Sequence, residues 1–313
     1  MPPIQFSSGD PIADRRADYA RMLDEAGDCA AAAELMEQAL ELSPDWAAGF
    51  VRLADYRAKA GNIEGAAEDV RRVLALDPDD IFGAALKLAV LGGAETPEQP
   101  PSRYVEALFD DYAERFETSL LEKLDYSVPK DLAALLRQVT GGRRFALAVD
   151  LGCGTGLMGV QIADIAARLE GFDLSANMLA KAETKGCYHH LAQADLSLGE
   201  QASGLFGPEL VERRADLVLA ADVMMYLGNL QAAFALVARL AAPGAVFAFS
   251  VEDGGGDAGF ALGPSLRYRH SEPYIRTLLG FHGFQTLETR QQTIRMDGGK
   301  PVSGILFLAS RTA

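Results

Sequence analysis

The spacing of apolar residues changes repeatedly along the last two thirds of the chain, between short continuous runs and a helical period. Continuous apolar runs predict buried strands at residues 145–150, 169–173, 188–193, 215–220 and 245–251. An apolar residue at every third or fourth position predicts helices between them, at residues 157–167, 175–185 and 230–240. Strands that alternate with helices in this way form a mostly parallel sheet with helices packed on it, an α/β fold.

The two ends of this region have a different pattern. Residues 104–124 and 128–138 have helical spacing before the first strand. After a predicted helix at 271–281 come two extended runs, 284–295 and 302–309, joined by the sequence MDGGK. A Gly-rich link between two such runs is typical of a β-hairpin, so the last strand is predicted to enter the sheet antiparallel. With the five parallel strands, the hairpin predicts a seven-stranded Rossmann-like sheet.

The first third contains two similar segments 34 residues apart, GDCAAAAELMEQALELSPD at 27–45 and GNIEGAAEDVRRVLALDPD at 61–79. Each has a Gly turn, a small residue at the same place in the helix, an apolar helical face and a closing Pro. This pattern resembles the tetratricopeptide repeat, a helix–turn–helix unit of that length, over about residues 13–80. Arg16 and Arg57 stand where the repeat has aromatic residues, so an ordinary pair of helical hairpins is the alternative.

Domain boundaries follow from these patterns. Residues 1–92 are predicted to form about two repeats with a capping helix at 81–92, because two repeats seldom bury enough apolar surface to be stable. Residues 93–102, GAETPEQPPS, favour neither helix nor strand and are predicted to form a linker. Residues 103–313 then form the α/β domain.

Charge and composition exclude several classes of function. The chain carries 29 Lys and Arg against 44 Asp and Glu, and residues 1–100 account for 9 against 19 of these. Binding to nucleic acid or to anionic membranes favours a basic excess, so we expect neither. The sequence begins without a signal-peptide pattern, has no apolar stretch of membrane-spanning length, and its three cysteines lack metal-site spacing. These features predict a cytoplasmic protein without a metal centre.

A glycine-rich motif follows the first predicted strand of the α/β domain, VDLGCGTG at residues 149–156. Glycines at alternate positions allow a tight turn and a close approach of the backbone to a ligand. Gly154, Gly156 and Gly159 also form Gly-x-Gly-x-x-Gly, and Asp173 follows about twenty residues on, so an NAD-dependent dehydrogenase is an alternative. However, Asp150 ends the strand two residues before Gly152, where a carboxylate would repel a pyrophosphate but attract a cationic ligand. Asp195 is a further acid, placed just after the third predicted strand.

Together with GFDLSANML (171–179), QADL (193–196) and ADLVLAADVMMYL (215–227), this motif resembles those of class I S-adenosylmethionine-dependent methyltransferases over residues 103–313. The resemblance implies S-adenosyl-L-methionine as cofactor and S-adenosyl-L-homocysteine as product. It implies that the methionine part of the cofactor contacts Asp150, Gly152 and Gly154. It also implies that Asp173 accepts from the ribose hydroxyls and Asp195 from the adenine amino group. The other implied cofactor residues are Leu174, Met178 and Leu196, and the alternative for Met178 is a place in the core.

Residues 104–116 resemble the F-D-x-Y-A-x-x-F helix of small-molecule methyltransferases of the ubiquinone- and biotin-pathway kind. In those enzymes the helix folds over the cofactor, which implies that Tyr112 and Phe116 line its methionine end. Core packing is the alternative for both rings. The whole arrangement resembles a bacterial group of predicted methyltransferases with N-terminal tetratricopeptide repeats.

Candidate catalytic and substrate-binding residues follow the fourth and fifth strands, because ligands of open α/β sheets bind at the carboxyl ends of the strands. The candidate catalytic residues are Asp222, Tyr226 and His270. His270 is the hypothetical general base. The candidate substrate contacts are Glu252, Arg267 and Tyr268. Arg267 and Arg269 favour a substrate with a carboxylate or a phosphate. The alternative for residues 267–270 is a solvated lead into a helix that Ser271 caps.

These features predict a methyltransferase that acts on a small molecule, with the repeats docking a partner or covering the site. Two alternatives stay open: a protein methyltransferase that holds a peptide in the repeats, and an interaction protein whose domain senses the cofactor. An Asn- or Asp-Pro-Pro-Tyr motif, typical of nitrogen methylation of nucleic acids and proteins, is absent after the fourth strand. Its absence favours the small molecule.

Overall fold

A computed structural model describes residues 6–114, 116, 126–256 and 259–312. Its contacts divide the chain into two compact units, Met1–Ala107 and Leu108–Ala313. The predicted linker at residues 93–102 lies shortly before this division, which falls inside a helix. Residues 93–101 form neither helix nor strand, as their Gly and Pro content predicts.

The first unit consists of helices and turns in its described part. The helices are α1 (Pro11–Glu25), α2 (Cys29–Leu40), α3 (Ala47–Lys59), α4 (Ile63–Leu76) and α5 (Ala84–Val90). Asp28 and Asn62 cap α2 and α4 in the same way, each accepting from the backbone N–H three residues further on. Gly27 and Gly61 before them both have left-handed backbones, with φ of +89° and +86°. The two predicted segments therefore share their local geometry, and their assignment as tetratricopeptide repeats stays a prediction.

Ion pairs connect these helices where the repeat pattern has an aromatic residue. Arg57 on α3 pairs with Asp69 on α4 at 2.7 Å and with Glu37 on α2 at 2.6 Å. Burial raises the pKa of Asp69 to about 6 in spite of the Arg57 charge. Because three helices contribute to this group, Arg57 links the two hairpins through charge instead of through a ring.

The second unit contains a seven-stranded sheet. Its strands are β1 (Phe145–Leu151), β2 (Ala166–Asp173), β3 (His190–Gln193), β4 (Ala215–Ala220), β5 (Ala241–Glu252), β8 (Phe284–Asp297) and β9 (Lys300–Arg311), and a separate pair is β6 (Phe260–Leu262) and β7 (Tyr268–His270). The strand order is β3-β2-β1-β4-β5-β9-β8, parallel from β3 to β5, with β9 antiparallel to both of its neighbours. The predicted seven-stranded sheet with a terminal antiparallel hairpin is confirmed.

Helices cover this sheet on both faces. They are α7 (Val128–Thr140), α8 (Leu157–Ile162), α9 (Ala176–Glu183), α10 (Gln231–Leu240) and α11 (Glu272–Phe281). The helix α6 (Ser102–Tyr112), in which the division between the units falls, precedes them. Neighbouring residues of β4 point to opposite faces of the sheet: Val218 belongs to the apolar cluster on one face, and Leu217 belongs to the cluster on the other face. The sheet is therefore buried on both sides. Among the helices in the described ranges, none has both the length and the apolar character that a membrane span requires.

Three element predictions differ from the structure. The helix predicted at 157–167 ends at Ile162, because Phe145 donates its N–H to Ile165 and β2 begins at Ala166. Pairing with β1 thus overrides the helical spacing of those residues. The β6–β7 pair was not predicted, and residues 268–270 form its second strand instead of a solvated lead into a helix. The helix predicted at 104–124 is α6 as far as Tyr112, while residues 115 and 117–125 lie outside the described residues.

Candidate functional site

The glycine-rich loop lies at the carboxyl end of β1, where the strand order reverses between β2 and β4. Ligands of open α/β sheets bind in the crevice at such a reversal. Gly152 has a φ of +64°, and a Cβ there would lie 2.5 Å from Cγ2 of Val223 in the loop after β4. Only glycine fits at this position, because the backbone is left-handed and the neighbouring loop leaves no room for a side chain.

Asp173, at the end of β2, binds this loop directly. Its Oδ2 accepts from the Gly154 N–H at 2.8 Å, and its Oδ1 accepts from the Ser175 N–H at 2.9 Å. Burial raises the pKa of Asp173 to about 6, although these backbone hydrogen bonds favour the ionised form. Each carboxylate oxygen can accept a second hydrogen bond. Asp173 therefore shapes the glycine loop and retains acceptor capacity toward a ligand.

Asp150 is 1% exposed, and its two carboxylate oxygens differ in their hydrogen bonding. Its Oδ2 accepts from the Tyr188 hydroxyl at 2.7 Å, whereas its buried Oδ1 has no hydrogen-bond partner within the described ranges. Burial raises the pKa of Asp150 to about 7, the Tyr188 hydrogen bond opposes this, and the Asp173 charge adds to it. A buried carboxylate oxygen that lacks a donor is stabilised when a cationic donor, such as an ammonium group, hydrogen-bonds to it. The same carboxylate would repel a pyrophosphate.

Aromatic side chains from α6 and the residues after it lie against the loop. A Cβ at Gly154 would be 3.9 Å from the Phe116 ring. Phe116 contacts the edges of Phe109 and Tyr112, with ring centroids 6.4 Å and 5.4 Å away, and Phe109 contacts Tyr226 at 4.9 Å. Tyr112 is half-buried in this group. These four rings form an aromatic cluster beside the glycine loop.

A hydrogen bond joins α6 to the start of α9. Ser175 caps α9 by accepting from the Met178 N–H at 3.1 Å, and its own hydroxyl donates to Asp110 of α6 at 2.5 Å. The side-chain amide of Asn177 donates to the Asp110 carbonyl at 3.1 Å. Asp110 thus makes the Ser175 cap part of the contact between α6 and α9.

The remaining residues implied for the cofactor lie at the carboxyl ends of β2 and β3. Asp173 is in register with Gln193, so the segments that follow both strands are neighbours. The Oδ1 atom of Asp195 accepts from the N–H and the hydroxyl of Ser197 at 2.8 Å and 2.6 Å. Their burial differs: Met178 and Leu196 are buried, and Leu174 and Asp195 are half-buried.

A buried ion-pair group lies after β4 and β5, and it contains two of the predicted residues. Arg295 of β8 is 2% exposed, pairs with Asp222 at 3.3 Å and donates to Glu252. Arg269 lies 3.8 Å from the other oxygen of Glu252. Burial raises the pKa of Asp222, the Arg295 and Arg267 charges lower it, and the Glu252 charge raises it. Glu252 is thus an internal ion-pair partner, 2% exposed, and this position disfavours its predicted contact with the substrate.

Tyr226 and Arg267 form a second pair beside this group. The Arg267 Nε donates to the Tyr226 hydroxyl at 3.3 Å, and the guanidinium lies 5.8 Å from the centre of the Tyr226 ring. Arg267 also pairs with Asp297 at 3.2 Å, and 26% of its side chain is exposed. Tyr126 belongs to the same surroundings, since the Asp222 charge adds to the burial that raises its pKa. The structure therefore brings Asp222, Tyr226 and Arg267 together.

The other two residues predicted from the segment before α11 lie inside the protein. Tyr268 and His270 on β7 both have 0% exposure. The His270 Nε2 lies 2.9 Å from the Gly228 carbonyl, which makes it the donor, and burial lowers the pKa of His270 to about 4. A base of that strength is a poor proton acceptor near neutral pH. These positions disfavour the predicted roles of His270 as a base and of Tyr268 as a substrate contact.

We expect the substitution His270→Gln to leave the rate of any transfer reaction within about twofold of wild type at neutral pH, because a glutamine amide replaces the donor to Gly228. The initial rate and the thermal unfolding temperature would be measured together. A general base contributes about 100-fold or more to a rate. A loss of that size with unchanged unfolding would restore His270 as the base.

Sequence patterns did not indicate Arg295, Tyr188 or Tyr126, and the motif that contains Asp110 did not indicate its contact with Ser175. Arg295 follows buried Ile294 and is itself buried, because the pairing of β8 with β9 shifts register between Thr293 and Arg295. Such a bulge breaks the in–out alternation from which a strand residue's face is predicted. Tyr188 precedes β3 and reaches Asp150, a contact across the fold that no local pattern encodes.

Residues 149–247 match the family model described as a methyltransferase domain. That segment runs from the end of β1 into β5 and so contains the glycine loop, Asp173, Asp195, Asp222 and Tyr226. Among the residues described, no group of three or more His, Cys, Asp or Glu side chains is arranged to hold a metal ion.

Two curated relatives match part of the chain. A malonyl-[acyl-carrier protein] O-methyltransferase from Enterobacter lignolyticus is 34% identical over 108 residues, which cover 34% of this chain and 39% of that protein. An enzyme of the same name from Salmonella typhimurium is 31% identical over 117 residues, 37% of this chain and 43% of that protein. The chain thus spans about two fifths of the length of the curated relatives it matches.

Solved methyltransferase structures share the fold. A 1,6-didemethyltoxoflavin-N1-methyltransferase from Burkholderia thailandensis has a TM-score of 0.52 and 18% identity, and the match covers 70% of this chain and 94% of that one. Magnesium protoporphyrin IX methyltransferase from Synechocystis has a TM-score of 0.51 and 20% identity, over 67% of this chain and 99% of that one. The second unit therefore has the fold of these enzymes.

Proposed function

We propose that this chain, whose second unit is a class I methyltransferase domain, moves a methyl group from S-adenosylmethionine to a small-molecule acceptor. The buried Oδ1 of Asp150 carries the proposal, because it has no hydrogen-bond partner among the described residues and lies where the resemblance places the cofactor's amino group. The solved structure of the Burkholderia methyltransferase contains bound S-adenosylhomocysteine, and that of the Synechocystis methyltransferase contains bound SAH, which supports the same cofactor here.

The residues present fit this cofactor. Asp150 offers an acceptor to an ammonium group, and Gly152 and Gly154 leave backbone free of side chains beside it. Asp173 retains acceptor capacity for two ribose hydroxyls, and Asp195 follows the neighbouring strand on the adenine side. When bound, the cofactor supplies an electrophilic methyl group on a sulfonium. The aromatic cluster of Phe109, Tyr112, Phe116 and Tyr226 would exclude water from that group.

The acceptor would lie between the glycine loop and the ion-pair group around Asp222. In the transfer, a lone pair of the acceptor forms the new bond to the methyl carbon, and the electrons of the carbon–sulfur bond stay on sulfur. Asp222, held beside the loop, would take the proton that a hydroxyl or amine acceptor releases. Tyr226 and Arg267 would orient the acceptor, and in-line alignment of this kind supplies much of the rate of such displacements.

A small acceptor with an anionic group suits this site. Arg267 has partly exposed side-chain surface at the rim, and Arg269 is half exposed nearby. A planar guanidinium binds a carboxylate or phosphate through two hydrogen bonds. The curated relatives act on malonyl-[acyl-carrier protein], so a malonyl thioester is one acceptor to test beside free metabolites.

The pH dependence of cofactor binding tests the role of Asp150. Because its pKa in the free protein is about 7 and an ammonium binds the ionised form, affinity for S-adenosylhomocysteine should rise with pH. Between about pH 6.5 and 8 we expect a gain of about fourfold in wild type and little change in Asp150→Asn, which also binds more weakly. Calorimetric titration at several pH values measures both.

Tyr188→Phe is the matched variant for this test. It removes the hydrogen bond that lowers the Asp150 pKa, so the rise in affinity should move to higher pH. A pH profile that is the same in all three proteins would contradict the assignment of Asp150 to the cofactor's amino group.

The choice of cofactor is tested by titrating the full chain with S-adenosylhomocysteine and, separately, with NADH. We expect binding of the first and none of the second, because the Asp150 carboxylate repels a pyrophosphate. Tight binding of NADH alone would overturn the proposed function and favour the dehydrogenase.

A docking role for the first unit is a second proposal, supported by a cavity of about 380 Å³ within that unit. Trp46 and Phe82 form part of the cavity wall. Residues 1–100 contain 19 acidic and 9 basic residues, so this part of the chain is negatively charged. A protein methyltransferase would use such a cavity to hold a basic peptide. The test is incubation of a cell extract with methyl-labelled S-adenosylmethionine. Labelled proteins with wild type that are lost with Trp46→Ala would favour that alternative. Labelled small molecules with both wild type and Trp46→Ala would favour the proposed function.

A further inference from the structure

Arg295 holds two carboxylates in the interior of the second unit, next to the glycine loop. Its guanidinium pairs with Asp222 from the loop after β4 and with Glu252 at the end of β5. Its Nε atom is buried and has no hydrogen-bond partner among the residues that the structure describes. Burying an arginine with a donor that lacks a partner costs free energy. A role in positioning the two carboxylates would explain why the protein keeps an arginine there.

The strand around Arg295 is bent to bring the side chain to this place. Along β8, Thr293 pairs with Ser303 and Arg295 with Val302, so one residue of β8 is extra. A bulge of this kind redirects a side chain that regular alternation would place on the other face. The bulge therefore turns Arg295 toward the loop that carries Asp222.

Asp222 itself is fixed in a strained backbone. Its φ is +61°, a left-handed conformation that is uncommon for residues other than glycine. Its N–H donates to the buried hydroxyl of Ser250 at 2.8 Å, and Val223 after it packs where Gly152 has no side chain. The backbone and Arg295 together therefore hold the Asp222 carboxylate beside the glycine loop, with 14% of its side chain exposed.

We propose that Arg295 is a positioning residue, which holds the Asp222 carboxylate to receive a proton from an acceptor that carries one, a hydroxyl or an amine. This inference rests on the proposed methyl transfer and adds to it the class of acceptor atom. The acceptor's lone pair bonds to the methyl carbon, its proton passes to an Asp222 oxygen, and Asp222 later releases that proton to solvent. An acceptor without a proton to lose would not need this device.

Charges from several elements face Asp222 and determine the direction of each expected change. Arg295 on β8 and Arg267 before β7 favour its ionised form, and Glu252 on β5 disfavours it. The phenols of Tyr126 and Tyr226 also face it, and burial raises the pKa of both. Removing the Arg295 charge should therefore raise the pKa of Asp222, whereas neutralising Glu252 should lower it.

The test is a carboxyl titration of the full chain labelled with ¹³C-carboxyl aspartate, in which the resonance missing from Asp222→Asn identifies Asp222. We expect its midpoint to move up by about one pH unit in Arg295→Gln and down in Glu252→Gln. Arg295→Lys keeps the charge and should restore most of the wild-type midpoint. Arg290→Gln is the matched control, because Arg290 lies on the same strand and hydrogen-bonds to Gln138 instead.

The rate of methyl transfer from labelled S-adenosylmethionine, measured against pH with the small-molecule fraction of a cell extract, should follow these midpoints. The rate falls as Asp222 becomes protonated, so its acidic limb should move to higher pH in Arg295→Gln and to lower pH in Glu252→Gln. If Arg295→Gln does not fold, the downward shift expected in Glu252→Gln still decides the question.

An Asp222 midpoint that stays at the wild-type value in folded Glu252→Gln, and in Arg295→Gln where it folds, would overturn the proposal. So would a rate without an acidic limb, which would mean that the acceptor has no proton to lose. Failure of the proposed function looks different: wild type would transfer no methyl group, while the Asp222 midpoint would still shift between the variants.

Discussion

Asp173→Ala should lower the affinity for S-adenosylhomocysteine by about 100-fold or more, the largest effect on binding that we expect. The carboxylate accepts from the N–H groups of Gly154 and Ser175, so its loss releases the glycine loop from the end of β2. The substitution would also remove the acceptor for the ribose hydroxyls. Each hydrogen bond to a charged group contributes about 1.5–3 kcal/mol, so the loss of such bonds accounts for the expected fall in affinity. Asp173→Asn keeps one acceptor oxygen and should lie between the two. Calorimetric titration gives the three affinities.

Asp216→Asn is the matched control for this measurement. Asp216 also accepts from two backbone N–H groups, those of Ala146 and Leu147, both at 2.9 Å, but at the opposite end of β1. We expect Asp216→Asn to lower the unfolding temperature without changing the affinity. Equal losses of affinity in the two variants would mean that Asp173 acts only through stability, contrary to its proposed place at the ribose.

Asp222→Asn should reduce the rate of methyl transfer by about 100-fold or more, while affinity for S-adenosylhomocysteine stays within about threefold of wild type. The amide is similar in size to the carboxylate but does not accept a proton. The reacting acceptor must therefore lose its proton to water instead. Initial rates with labelled cofactor and calorimetry on the same preparation separate the two quantities.

Asp131→Asn serves as the control for Asp222→Asn. Asp131 on α7 accepts from Gln292 of β8 at 2.7 Å, so it touches the strand that carries Arg295 but not the proposed site. Its rate should equal that of wild type. A wild-type rate in Asp222→Asn as well would show that the reaction needs no base and would remove Asp222 from the catalytic residues.

Local patterns predicted the sheet because its central strands, β1, β4 and β5, are mostly buried and read as apolar runs. The hairpin β8–β9 was recognised from its Gly-rich link, and the turns before α2 and α4 from their paired glycines. The end of α8 was not predicted, because residues 163–167 keep a helical apolar spacing, although the backbone pairs with β1 from Ile165 onward. Tertiary pairing decided that boundary, and no window of sequence contains the partner strand.

The candidate site shows the same distinction between local and distant contacts. Gly152 lies in the loop between β1 and α8, and Asp173 ends β2 just before α9, so both were recognised from local strand–loop–helix patterns. Arg295 and Tyr188 reach their partners from distant strands, through a bulge in one case, so alternation could not place them. His270 has the type of side chain that a base needs, but its 0% exposure follows from the β6–β7 pair, which the sequence did not indicate.

Transfer of the methyl group itself tests the central claim most directly. The full chain would be incubated with methyl-labelled S-adenosylmethionine and the small-molecule fraction of a cell extract, and the labelled products identified by mass spectrometry. We predict a labelled small molecule formed in equal amount with S-adenosylhomocysteine, and none with Asp173→Ala. Label found only on proteins, or no label at all from a protein that binds the cofactor, would contradict the proposed function.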